Sequence, residues 1–215
     1  MTPLESAEEF HARVAAATDD EGRLPVAIEL MPGWDIFPFE LDGLRIKPLE
    51  PLADAEPPRR GDDPTDCPCQ QPAAGHAGQA EQVVWSNQRW RLTVLLDMRL
   101  PIALMLQPRA HHDLADLPDD LASEMGRLMV AVTAAVEELP SVGRCHMGRY
   151  GDGGAHLHPF FFGRPARMLQ LRGSTLLDWE ENLPSVPQDV RRANARHVGH
   201  RLVERLGGDG PAWES

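Results

Sequence analysis

The chain has 215 residues, a formal net charge of −12 and three cysteines. The length suits one domain that buries a proper core without covalent staples. The acidic balance excludes non-specific nucleic-acid binding, which needs a basic footprint, but leaves room for a nucleotide-sized anion held by a few arginines. No apolar run approaches the ~18 residues of a membrane span, and the acidic N-terminus lacks the basic and apolar regions of a signal peptide. An odd, sparse set of cysteines argues against a disulfide framework. A cytoplasmic protein is expected.

Residues 3–18 read as a helix with Phe10, Val14 and Ala15 on one side. Residues 34–48 read as a hairpin about Asp42-Gly43, a strong turn signal between apolar runs. Residues 48–81 are rich in Pro, Ala, Asp and Gly without periodicity. A loop of that length is functional, metal-organised or disordered. Strands are expected at 82–86 and 89–96, joined at Ser86-Asn-Gln, and again at Ile102–Gln107, which runs into Pro108-Arg-Ala-His-His112.

A long helix is expected over 118–139. Proline and acids stand at its start, and Leu121, Met125, Leu128, Met129, Val132 and Val136 form its apolar stripe. Strands at 143–150 and 155–162 would form a hairpin about Gly151-Asp-Gly-Gly154, with 163–187 mostly irregular. A last helix over 190–206 stops at Gly207-Gly208. Strands, helix, strands, helix is the order of an α+β fold: an antiparallel sheet with flanking helices.

The segment Gly151-Asp-Gly-Gly-Ala-His156-Leu-His158-Pro-Phe160 carries the most chemistry. On a strand His156, His158 and Phe160 share one face, with the imidazoles ~7 Å apart. Such a pair can ligate a metal or supply a nucleophile with its support. Gly153 and Gly154 let a backbone or a ligand approach closely. Arg164, Arg167 and Arg172 follow, with Gln170 and Ser174 between them, and arginine forks suit phosphate. Trp179 either stacks on a base or packs the last helix. Cys67-Pro-Cys69 lies in the long loop, and in an extended chain a Cys-x-Cys pair points its thiols apart. Two surface thiols are the plain alternative to a metal site there. Cys145 reads as a small buried residue.

From Val83 to Pro165 this order of features resembles the histidine triad superfamily. The strand pair Val83-Val-Trp-Ser and Trp90-Arg-Leu, the strand closing on Pro108-Arg-Ala-His111, the helix opened by Asp116-Leu-Pro and the pair His156-Leu-His158 carry the likeness. The resemblance implies a single domain over 1–215, with its core at 83–165, a C-terminal extension at 166–215 and further chain before the core. It implies a nucleotide or nucleoside phosphoester as ligand, and His158 as a nucleophile on the α-phosphate supported by His156. Gly153, Gly154, Phe160, Arg164, Gln170 and Arg172 are the candidate substrate contacts. Phe160 stands where the superfamily has its third histidine. The galactose-1-phosphate uridylyltransferase branch, which carries glutamine there, also lacks it. Gly148 stands where an asparagine is common.

The resemblance further implies a structural zinc on Cys67, Cys69, His111 and His156, with His76 and His112 as alternative ligands, and a homodimer. The function expected is nucleotidyl hydrolysis or transfer. Two rivals stay open: a catalytically reduced nucleotide-binding or regulatory protein, and a metal-site protein in which His156 and His158 are both ligands.

Overall fold

A computed structural model describes residues 16, 18–23, 48–70, 82–180, 183–211 and 213. The expected hairpin at 34–48, nearly all of the helix at 3–18, and His76 lie outside the described residues. The chain divides into two compact units, Met1–Pro57 and Pro58–Ser215. In the first, the Asp19 carboxylate accepts hydrogen bonds from the Glu21 and Arg23 amides, both at 2.9 Å, and closes a turn.

The second unit carries five strands in the order β1-β2-β3-β5-β4, every neighbouring pair antiparallel. They are β1 (Val83–Ser86), β2 (Trp90–Val94), β3 (Ala103–Pro108), β4 (Val142–Gly148) and β5 (Phe160–Pro165). The long helices are α1 (Asp119–Glu137) and α3 (Gln188–Leu206), with a short α2 (Leu176–Glu180) between β5 and α3. This is the α+β architecture that the alternation of periods calls for.

Period-two alternation sorts the side chains of the sheet onto two faces. On one, Leu92, Val94, Leu104, Leu106 and Phe161 join the stripe Leu121, Leu128, Val132 and Val136 of α1 and Ala195, Val198 and Leu202 of α3 in the main core. A close approach explains Gly199: a Cβ there would collide with the Val84 carbonyl oxygen and the Pro211 ring, so only glycine lets α3 lie against β1. On the other face Arg91 pairs with Gln107, and Met105 with Phe160. Farther along this face Leu100, Ala103, Phe162, Leu171 and Leu176 form a second cluster, with Trp179 packed against it. That is where Trp179 goes: it covers the sheet.

The last strand departs from expectation. Residues 155–162 were expected as strand, but β5 starts at Phe160 and pairs with β4 from Gly148↔Phe160 to Val142↔Pro165. Both histidines therefore precede the strand. Pro159 has no N–H to give to a ladder. The Ala155 and Leu157 amides donate instead to the Arg60 and His112 carbonyls, at 3.1 and 2.7 Å. The histidine segment is thus laced to the 58–70 loop and to the chain after β3. Residues 166–175, expected as irregular, are mostly 3-10 turns before α2.

Candidate functional site

Four side chains from three separate segments converge beside this lacing. The ligand atoms of Cys67, Cys69, His111 and His156 all lie within 4.8 Å of one another. Cys67 Sγ is 3.4 Å from His156 Nδ1, Cys69 Sγ is 3.6 Å from His111 Nδ1, and the two sulfurs are 3.1 Å apart. The expectation that Cys-x-Cys would splay its thiols assumed extended chain. In fact 3-10 turns at Pro64–Asp66 and Pro68–Gln70 flank Cys67, and the curved backbone turns both sulfurs inward. Asp63 caps the first turn by accepting from the Thr65 amide. Gly61 passes close by with φ of +91°, its missing Cβ leaving room for the His111 ring at 3.3 Å.

The donor set fits a tetrahedral zinc. Zn–S of ~2.3 Å and Zn–N of ~2.0 Å place sulfurs about 3.8 Å apart and sulfur and nitrogen about 3.6 Å apart. The two S–N distances already stand near that value, and the sulfurs need to open by about 0.7 Å. His156 is set up for the role. Its Nε2–H donates to the Pro108 carbonyl at 2.9 Å, which leaves the Nδ1 lone pair toward Cys67. The ring is buried, and burial pushes its pKa down to about 4; the Pro108 bond opposes the shift, and nearby His111, Arg91 and His158 add to it. A ligating imidazole must be neutral, and this one is.

His158 is not a member of that cluster. Its Nδ1–H donates to the His156 carbonyl at 2.5 Å. A carbonyl can only accept, so the proton sits on Nδ1 and the Nε2 lone pair is left free. Among the described residues nothing hydrogen-bonds Nε2. The ring lines a cavity of about 290 Å³ together with Arg60, Arg91, Gln107, Gly153 and Gly154. Phe160, its floor, meets the His158 ring edge to face at 5.4 Å.

Of the candidate contacts, Gly153, Gly154 and Phe160 line this cavity, and Arg164, Gln170 and Arg172 are not among its lining residues. Arg164 is buried beside Gly143 and donates to the Pro165 carbonyl; Arg172 donates to the Leu169 carbonyl; Gln170 is exposed. Arg60 and Arg91 line the cavity instead. Arg91 stands on β2 directly opposite Gln107 and donates from Nε to its side chain at 3.2 Å. Burial, with Arg109 nearby, lowers its pKa, and the two cysteines oppose that shift. Arg91 reaches the cavity through the β2–β3 register, which sets it opposite Gln107.

An acidic hub ties the rim together. Asp113 takes Arg59 at 2.7 Å and also Arg149, while Arg59 reaches the Gly151 carbonyl at 3.2 Å. The cysteine loop, the chain after β3 and the glycine turn are thereby fastened at one carboxylate.

No protein-family model and no curated protein matches the chain. Solved structures do. A histidine triad protein from Bradyrhizobium japonicum matches at 16% identity, covering 59% of this chain and 96% of that one, with a TM-score of 0.47. A Zn-bound histidine triad family protein from Mycobacterium smegmatis matches at 17% identity, covering 58% and 86%, with a TM-score of 0.41. A uridylyltransferase matches at 17% identity, covering 59% and 42%, with a TM-score of 0.43. The solved structures that the chain matches include histidine triad proteins and uridylyltransferases.

Proposed function

We propose that the chain binds a nucleotide and transfers or hydrolyses its nucleotidyl group through His158. The observation that carries this reading is the His158 tautomer: Nδ1–H is held by the His156 carbonyl, and Nε2 is left with its lone pair beside the cavity. In the first step Nε2 attacks the α-phosphorus, a P–N bond forms and the P–O bond to the leaving group breaks with its electron pair. Water or a second alcohol or phosphate then attacks phosphorus, and the imidazole leaves with the P–N electrons. Arg91 and Arg60 supply positive charge for the phosphate oxygens.

Cys67, Cys69, His111 and His156 would hold a structural zinc. Bound there, the metal fixes the cysteine loop to the histidine segment and supplies no reacting group. The nucleophile stays outside the ligand set, because a metal-bound imidazole has its lone pair committed.

The test is an alkaline detergent quench of the wild-type protein with a radiolabelled nucleotide panel, followed by a search for a base-stable nucleotidyl-histidine adduct that acid then releases. The adduct is expected on His158 and absent in His158→Ala. A second reading, a nucleotide-binding protein without turnover, is favoured by Phe160, which has no donor to offer a departing oxygen. Nucleotide binding with neither adduct nor turnover would select it.

A further inference from the structure

A second cleft opens along the same face of the sheet, farther from the metal ligands. It has a volume of about 450 Å³, and its walls include His146, Tyr150, Phe162, Ser174 and Leu177. A continuous run of rings connects it to the nucleophile. His158 lies 5.4 Å from Phe160, and Phe160 stacks on Phe162 at 5.7 Å with 14° between the planes. His146 stands directly opposite Phe162 in the β4–β5 register, and Tyr150 leans on Phe160 at 6.0 Å.

The sequence is shaped for this arrangement. Gly148 pairs with Phe160, and a Cβ at 148 would sit 2.9–3.0 Å from the Tyr150 ring and hydroxyl. Glycine thus makes the space into which Tyr150 folds. Behind the cleft, Leu100, Ala103, Phe162 and Leu171 are buried in one apolar cluster, with Leu95, Met98 and Trp179 packed against it. Among the described residues the cleft's lining holds no Asp, Glu, Lys or Arg, whereas the His158 cavity holds two arginines. Charge therefore sorts the two ends: phosphate at the arginines, a neutral planar group at the rings.

We infer that the Tyr150–Phe162 cleft is the seat of the nucleobase, with its face against the aromatic rings and its edge toward the His146 ring and the Ser174 hydroxyl. The inference rests on the His158 reading for the phosphate end alone. Two ring-to-ring steps separate His158 from Phe162, a span that a mononucleotide bridges from phosphate to base. Aromatic rings hold any base by its face, and the polar edge groups supply what choice there is among bases.

Tyr150 is the only tyrosine of the chain, so 3-fluorotyrosine gives the full-length protein a single fluorine resonance. The probes are AMP, GMP, CMP and UMP, the four nucleosides, and ribose 5-phosphate. At least one mononucleotide is expected to shift the resonance through the ring current of its base, and ribose 5-phosphate is expected to leave it unmoved. In calorimetry Tyr150→Ala should weaken that mononucleotide roughly tenfold and leave ribose 5-phosphate as in wild type. Tyr150 is half exposed, so its removal spares the core. Mononucleotides that bind without shifting the fluorine, and equally well to Tyr150→Ala, overturn the inference and leave the His158 reading standing. Nucleosides that shift the fluorine in a protein that forms no adduct support the cleft and overturn His158. Absence of binding by every probe overturns both.

Discussion

Cys67→Ala tests the metal centre most directly. Cys67 is 2% exposed, and its sulfur is the one that meets both Cys69 and His156. Structural zinc sites of four protein ligands are worth about 10–16 kcal/mol. An equal share per ligand is about 3 kcal/mol, or roughly a hundredfold in affinity. Removing Cys67 leaves three ligands, so zinc is expected to bind about a hundredfold more weakly, with water taking the fourth position. The assay is competition against a chromophoric chelator, with stoichiometry checked by elemental analysis. Wild type should hold one zinc per chain; Cys145→Ala, whose thiol lies outside the cluster, should match it. Wild type without zinc when purified in the absence of chelator, or Cys67→Ala with wild-type affinity, would refute the reasoning.

Further outcomes follow from the same geometry. Phe160→His restores a donor beside His158 and should raise nucleotidyl turnover, since one such donor is typically worth ~10²–10³ in rate; an unchanged or lower rate would count against the phosphate's placement. Burial pushes the Cys145 thiol up to about 12, so at pH 8 it should resist alkylation. Mass spectrometry should then find no adduct on the zinc-loaded protein and two after chelation, on Cys67 and Cys69. Burial works to raise the Asp113 carboxyl, but hydrogen bonds from Arg59, the Leu114 amide and Arg149 outweigh it, and its net direction is down. A depressed carboxylate contributes stability that is present above its unfolded pKa, near ~3.9, and is lost as pH falls through the folded value. Asp113→Asn should therefore be less stable than wild type at pH 7, with the difference shrinking below pH ~4 in thermal melts.

Helix α1 was legible from the apolar stripe that runs at helical spacing from Leu121 to Val136, and α3 from the Gly207-Gly208 stop at its end; both fall within two residues of expectation at each end. Strands β1 to β4 were legible for the equivalent reason. The last strand misled because His-Leu-His-Pro-Phe alternates like a strand, yet Pro159 breaks the ladder. Alternation reports which side a residue faces; it does not say which hydrogen bonds are made. The metal ligands were named through resemblance, while spacing alone spoke against them. Two consecutive 3-10 turns decide how Cys67 and Cys69 aim, and proline-punctuated turns of three residues carry no periodicity to read. Arg60 and Arg91 were missed for a different reason. A basic residue becomes a site residue only through strand register and loop closure, both of which are long-range. Arg164, Arg167 and Arg172 were favoured because they are near the histidines in sequence, which is a weak guide to nearness in space.

Positions 148 and 160 acquire meaning when they are taken as a pair. The resemblance calls for a histidine at 160 and an asparagine at 148, where this chain has Phe160 and Gly148. The register puts the two positions directly opposite one another on neighbouring strands. The space left at 148 is filled by Tyr150, whose ring leans on Phe160. The rings are in contact, and the aromatic surface runs on to Phe162 and the open cleft. The polar groups of the cavity include Arg91 and Gln107, which bond each other. Under the function proposed above, that wall would stack on a flat ring and offer no donor to a departing oxygen, so binding of the base would be tight and release of the leaving group slow.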